Sequence, residues 1–210
     1  MPHMNKPDRI PLFPLDVVLL PDMALPLHIF EPRYKTMVHD CLGKQLEFGI
    51  ALATSQAVAK VGCTAEIVER IKDYPDGRMD ILAGGHSVFR LTEILEEKEY
   101  NEGIVEYFDE DVTAQDPGKE ARLLEVFEQC HMLLFGRAWG DRDRGPAATL
   151  AFRMTARLPT DLEQRQVLLE MPTENERREF LLGWLAKFLP RLADRKRARH
   201  RAGGNGHALN

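Results

Sequence analysis

LPLHIFEPRY, Leu25 to Tyr34, decides how the N-terminal half of this chain is read. Pro26 and Pro32 bracket a short apolar run, and His28, Glu31 and Arg33 crowd together within it. Such a cluster is either a polar catalytic site or a corner where a strand turns into a helix. The flanks favour the corner. Upstream, IPLFPLDVVLLP (Ile10–Pro21) and MALPLHIF (Met23–Phe30) are apolar runs punctuated by proline, a pattern of edge or irregular strands because proline cannot donate to a ladder. Downstream, Tyr34, Met37, Val38 and Leu42 recur at helical spacing, with Gly43 as the expected stop. On this reading Glu31 and Arg33 hydrogen-bond to fix the corner, Phe30 is buried beneath them, and His28 lies on the other surface of the strand.

The strand pattern continues through EFGIALA, through TAEIVERIKDYPDGRMDILAGG with its Pro75-Asp76-Gly77 turn, and through HSVFRLTEILEEKEY and EGIVEYFDED. Six or seven short strands with one helix predict a small closed or partly closed barrel. The period changes after Asp116-Pro117, an N-cap carboxylate followed by proline at the first helical position. Leu123, Phe127, Cys130 and Leu134 then form one apolar stripe. A Gly-rich loop spans Phe135 to Pro146, and Pro146 opens a short helix through Leu158. Thr160–Glu163 and Thr173–Glu176 fit capping boxes, and Leu181, Trp184, Leu185, Phe188 and Leu192 share one face of the last helix. The expected fold class is α+β: a barrel subdomain over residues 9–114, a helical bundle of about four helices over 116–194, and a basic, disordered tail over 195–210.

Composition narrows the function. Residues 191–201 sum to +5 while the chain as a whole carries −5, so the body is acidic and repels a phosphate backbone. The start MPHMNKPDR lacks the apolar segment of a secretory signal and no apolar run suffices to cross a bilayer, which predicts a cytoplasmic protein with no membrane partner. Cys41, Cys63 and Cys130 are odd in number and widely spaced, as expected for reduced, buried thiols.

Chemistry is sparse. Gly85-His86-Ser87-Val88-Phe89 begins like a nucleophile elbow, but Phe89 stands where the second glycine is required, so Ser87 reads as a turn residue opening a strand. Cys130 and His131 are adjacent on a helix and point about 100° apart, too divergent to work as a pair. No histidine spacing matches a metal motif and no Gly-rich phosphate loop is present. No catalytic residue, metal site or cofactor is expected.

Ile10 to Leu42 resembles the start of the N-terminal, substrate-binding domain of Lon proteases. The matching features are Leu12–Leu15, Val18–Pro21 and Leu25–Tyr34, followed in order by Phe48–Ile50, Val61–Cys63, Asp76–Arg78, Gly84–Arg90 and Gln166–Glu170. The resemblance spans roughly residues 9 to 190. It implies a PUA-like β-barrel subdomain followed by a helical subdomain. In full-length Lon an ATPase module and a Ser-Lys protease module follow; neither has a counterpart in this sequence, so a stand-alone, non-enzymatic module is expected. The implied role is recognition of unfolded polypeptide or of a partner protein. The alternative is an RNA-binding PUA-like module using the barrel and the basic tail. Met23, Phe135 and Trp139, with the loop from Phe135 to Pro146, are the candidate contact residues, although Trp139 is equally suited to packing over the helices.

Overall fold

The computed structural model describes residues 6–108, 116–140 and 149–204, with side chains described through Ala198. The chain divides into two compact units, one formed by Met1–Glu110 with Thr160–Glu170, the other by Asp111–Pro159 with Met171–Asn210. The fold is mixed α+β, as the sequence predicts.

The first unit holds six strands: β1 (Arg9–Leu15), β2 (Ala24–Ile29), β3 (Phe48–Ala53), β4 (Val58–Asp73), β5 (Met79–Leu95) and β6 (Glu102–Tyr107), with helix α1 (Pro32–Lys44) between β2 and β3. Their order is β2-β5-β4-β3-β1-β6, and β6 also pairs with β5, so five strands close into a near-barrel ring and β2 is appended outside it. Length explains this arrangement. The first half of β5 pairs with β2 (Ala24↔Gly84 to Ile29↔Met79), and its second half pairs with β6 (Phe89↔Tyr107 to Leu95↔Glu102). HSVFRLTEIL is thus the second half of one long strand, not a strand of its own, and His86 and Ser87 lie inside β5 rather than in a turn.

The prolines of β1 behave differently from the expectation. Pro11 and Pro14 lie in a strand with partners on both sides, but those partners divide its length: β6 pairs Arg9–Pro11 and β3 pairs Leu12–Leu15, in parallel. The ladders occupy different residues, so a missing proline N–H disrupts neither.

The ring interior is filled by Ile10, Leu12, Ala51, Phe89, Leu91 and Val105. The Phe89 ring lies over Gly49 and Gly62: a Cβ on Gly62 would sit 2.5 Å from both Phe89 Cζ and the Ile50 carbonyl oxygen. One rim is tied by Glu102, which accepts from Arg9 (2.5 Å) and Lys98 (2.9 Å). Helix α1 buries Tyr34, Met37, Val38 and Cys41, with the Tyr34 ring 4.0 Å from that of Phe13. It runs past Gly43 and stops at Gln45, whose left-handed backbone (φ 52°) turns the following Leu46 N–H onto the Cys41 carbonyl (3.0 Å). Helix α4 (Leu162–Glu170) belongs to this unit, where Gln166 Nε2 donates to the Val61 carbonyl (3.1 Å). Its capping box is Asp161 with Gln164, one residue later than the sequence pattern suggests.

The second unit contains α2 (Pro117–Phe135), α3 (Leu150–Thr155) and α5 (Glu174–Gly204). Asp116 caps α2 as expected, accepting from the Gly118 and Lys119 amides, and Gly136 (φ 71°) ends it. Leu123, Phe127, Cys130, Leu150, Met154, Leu181 and Leu185 form its core. Glu174 is fully buried, yet it accepts from Arg177, Arg178 and the Ala151 amide, so each of its carboxylate oxygens has a partner. Thr173 and Glu176 form the predicted capping box. The predicted helix start at Pro146 lies outside the described residues. Where the sequence suggests disorder from Arg195, α5 continues to Gly204. Its Arg, Lys and Ala residues are good helix formers, Arg197 pairs with Asp194, and cations suit a helix C-terminus.

Candidate polypeptide-contact surface

The opening cluster becomes a surface here. Pro26 and Phe30 flank His28 on one face of β2, because side chains alternate along a strand. That face is exposed. Ile29 is the buried residue, and Phe30 is 58% exposed, contrary to the expectation that it packs beneath the corner. Its ring stacks on His28 at 5.9 Å, so the two share a face rather than lying on opposite ones. Arg33 does pair with Glu31, Nε donating to Oε2 at 2.9 Å, as the corner reading requires.

The face extends across three strands. Beyond Ala65 the hairpin of β4 and β5 leaves the ring as an arm, capped by a turn in which Gly77 (φ 79°) donates to the Tyr74 carbonyl. Register sets Pro26 beside Leu82 and Ala24 beside Gly84. Val68, 58% exposed, leans over Gly84, its Cγ2 2.9 Å from where a Cβ would stand. Pro26, Leu82 and Val68 therefore line an apolar patch that faces solvent in this unit, and Phe30 lies beyond the His28–Asp80 pair on the same face. One polar device secures its tip: Asp80 accepts from His28 Nδ1 (2.5 Å) and from the Tyr74 hydroxyl (2.8 Å). The His28 and Tyr74 hydrogen bonds hold the Asp80 carboxyl below the usual carboxylate range. Lys72 and Arg78 lie over the Tyr74 ring at 4.5 and 5.0 Å.

Asp80 spends both oxygens on the histidine and the tyrosine, and the serines lie elsewhere in the fold. Ser87 Oγ accepts from Lys6 Nζ (2.8 Å) while its amide donates to Thr64 Oγ1 (3.0 Å). The three cysteines are free and buried, and burial pushes the thiols of Cys41 and Cys130 up to about 12 and about 11, far from a reactive thiolate. Among the described residues no group of His, Cys, Asp and Glu could hold a metal ion.

The residues singled out by sequence fall in different places. Met23 is half-buried at the entry to β2, its carbonyl accepting from the Gly85 amide (2.9 Å). Trp139, 4% exposed, packs edge-on against Phe127 at 4.8 Å in the helical core. Phe135 is 53% exposed, its ring 4.7 Å from that of buried His131. Phe135 and Trp139 belong to the second unit and Met23 to the first. The second unit also carries an open groove of about 630 Å³ lined by Met132, Leu133, Leu189 and Ala193 together with Glu125 and Glu128. Residues 141–148 of the predicted contact loop lie outside the described residues. Sequence reasoning missed Val68, Leu82 and Asp80. The available signal was Val68 and Ile71, apolar residues standing among the five charged ones of residues 66–73.

The profile of the ATP-dependent protease La (LON) substrate-binding domain matches residues 9–187. The chain belongs to this Lon domain family. The match is to the substrate-binding domain, and neither an ATPase nor a protease domain is within it. A crystal structure titled Lon N-terminal domain protein from Xanthomonas campestris superposes with a TM-score of 0.68 at 29% identity, covering 84% of this chain and 98% of that one. The N-terminal domain of Mycobacterium avium complex Lon protease shares the fold, with a TM-score of 0.65 at 18% identity over 85% of this chain and 98% of that chain. Lon protease of Escherichia coli K12 is 27% identical over 95% of this chain, and the match takes up 27% of its own length. The chain thus spans about a quarter of the curated Lon relatives it matches. Among the described residues no helix is long and apolar enough to cross a membrane.

Proposed function

We propose that this chain is a non-enzymatic recognition module that binds exposed apolar segments of unfolded polypeptide, serving protein quality control in the cytoplasm. The observation that carries the reading is the solvent-facing apolar face of the arm, where Phe30 and Val68 are each more than half exposed. Exposed apolar surface of this kind marks interaction sites in folded proteins. Membership of a substrate-binding domain family supports the same class of ligand.

Fluorescence anisotropy with reduced, carboxymethylated lactalbumin, a permanently unfolded chain, tests it. The native protein is expected to bind, and Phe30→Ala with Val68→Ser to weaken binding at unchanged melting temperature. Equal binding by native and double-variant protein would overturn the assignment to this face. An RNA-binding role has one supporting feature, the basic helical stretch from Arg191 to Arg197. It predicts RNA retention on a filter that falls steeply with salt and vanishes when residues 191–210 are removed.

A further inference from the structure

The arm has two outer edges, and they are built differently. Past the last β3 pairing, Phe48↔Ala65, residues 66–73 of β4 have β5 on one side and no strand on the other among the described residues. That edge is defended. Five of its eight residues are charged (Glu66, Glu69, Arg70, Lys72 and Asp73), and its ladder is broken by irregularities at Ile67/Glu69 and Arg70/Lys72. Charges and bulges are the usual devices that stop a sheet edge from pairing with another chain.

The β2 edge has neither device. Its register against β5 runs unbroken from Ala24↔Gly84 to Ile29↔Met79, and ALPLHI holds no Lys, Arg, Asp or Glu. The direction of its free backbone groups follows from one bond. The Met23 carbonyl accepts from the Gly85 amide, so Met23 faces β5, and by alternation Leu25, Leu27 and Ile29 do too. The N–H and C=O groups of Ala24 and His28, and the Pro26 carbonyl, then point outward, with successive outward residues about 6.8 Å apart. No described strand pairs with them. Only Pro26, which lacks an N–H, interrupts the row.

We propose that the outer edge of β2 takes up an extended segment of the bound polypeptide as an added strand, paired through Ala24, Pro26 and His28. The inference rests on the polypeptide-binding reading and specifies how the ligand is held. Only a chain in β conformation presents donors and acceptors at the spacing of that row. The neighbouring side chains select its sequence. Ala24, Pro26 and Phe30 offer apolar contacts, and His28 already donates its Nδ1 proton to Asp80. The fitting segment is therefore uncharged, proline-free and apolar at every second residue. Main-chain pairing supplies affinity with little dependence on sequence, the property a binder of many unfolded chains needs.

The test uses the whole chain and synthetic 12-residue peptides tiled across lactalbumin. The best binder is then remade with one backbone amide methylated at a time. Methylation at every second position of a central run is expected to weaken binding about fivefold, with intervening positions unaffected, since one hydrogen bond is worth about 1 kcal/mol. Hydrogen exchange read by NMR should slow at the Ala24 and His28 amides when peptide is added. Pro26→Val, which restores the missing outward N–H, should tighten binding several-fold at unchanged melting temperature. Peptide binding without a two-residue period, or with unchanged exchange at Ala24 and His28, overturns edge pairing and leaves the polypeptide reading standing. Failure of every tiled peptide to bind overturns both.

Discussion

The two halves of the β4–β5 hairpin share the same strands and meet opposite ends. Residues 58–65 and 86–95 lie in the closed ring, where Phe89 presses on Gly49 and Gly62 and nearly every inward side chain is covered. Residues 66–85 leave the ring and expose one apolar face to solvent. Strand propensity is similar in both halves. Closure makes the difference, because β6 covers the second half of β5 while β2, a single short strand, covers the first. The ring half is covered within the ring, while the arm half buries Met79, Ile81 and Ala83 on one face and leaves the other open.

Five substitutions probe that contrast. Phe89→Ala empties the ring and should cost about 3–5 kcal/mol in chemical denaturation. Gly62→Ala drives a Cβ against the Ile50 carbonyl oxygen, which cannot withdraw, and should cost about 3 kcal/mol by the same measurement. An equal effect from Gly84→Ala on the arm, where the obstructing atom is the end of the Val68 side chain, would erase the distinction between the halves.

Glu102→Gln sharpens the comparison at the rim of the ring. Burial pushes the Glu102 carboxyl up, but hydrogen bonds from Arg9 and Lys98 outweigh it, so the group sits below its ordinary value. A depressed carboxylate stabilises the fold above its unfolded value, about 4.3, and loses that contribution as pH falls through the lower folded value. The substitution should therefore cost about 2 kcal/mol at pH 7 and progressively less below about pH 4. A pH-independent loss would show that Glu102 acts through shape rather than charge. The smallest effect is expected on the arm: Val68→Ser should change stability by less than about 0.5 kcal/mol while weakening peptide binding. A large stability loss would mean that Val68 belongs to a core.

Local chemistry made much of this legible in advance. The Asp116 cap, the Pro75-Asp76-Gly77 turn, the Thr173–Glu176 capping box and the α1 stripe each depend on residues within a few positions of one another, so spacing sufficed. The ordered motifs of the first half likewise pointed to the Lon domain family. Phe30 was misread because burial depends on which strand covers which face, and that is set by the pairing of β2 with β5 more than fifty residues away. The surface formed by Phe30, Leu82 and Val68 was invisible for the same reason, since its members come from three strands.

The sequence by itself determined most element types, the Asp116 and Thr173 caps, the Pro75–Gly77 turn and the family, all consequences of short-range spacing and of ordered motifs. Tertiary structure alone decided that β5 is shared between two partners, that the ring closes on Phe89, and that a strand edge and an apolar face remain uncovered. These depend on long-range register, where one strand's partner determines which side chains meet solvent.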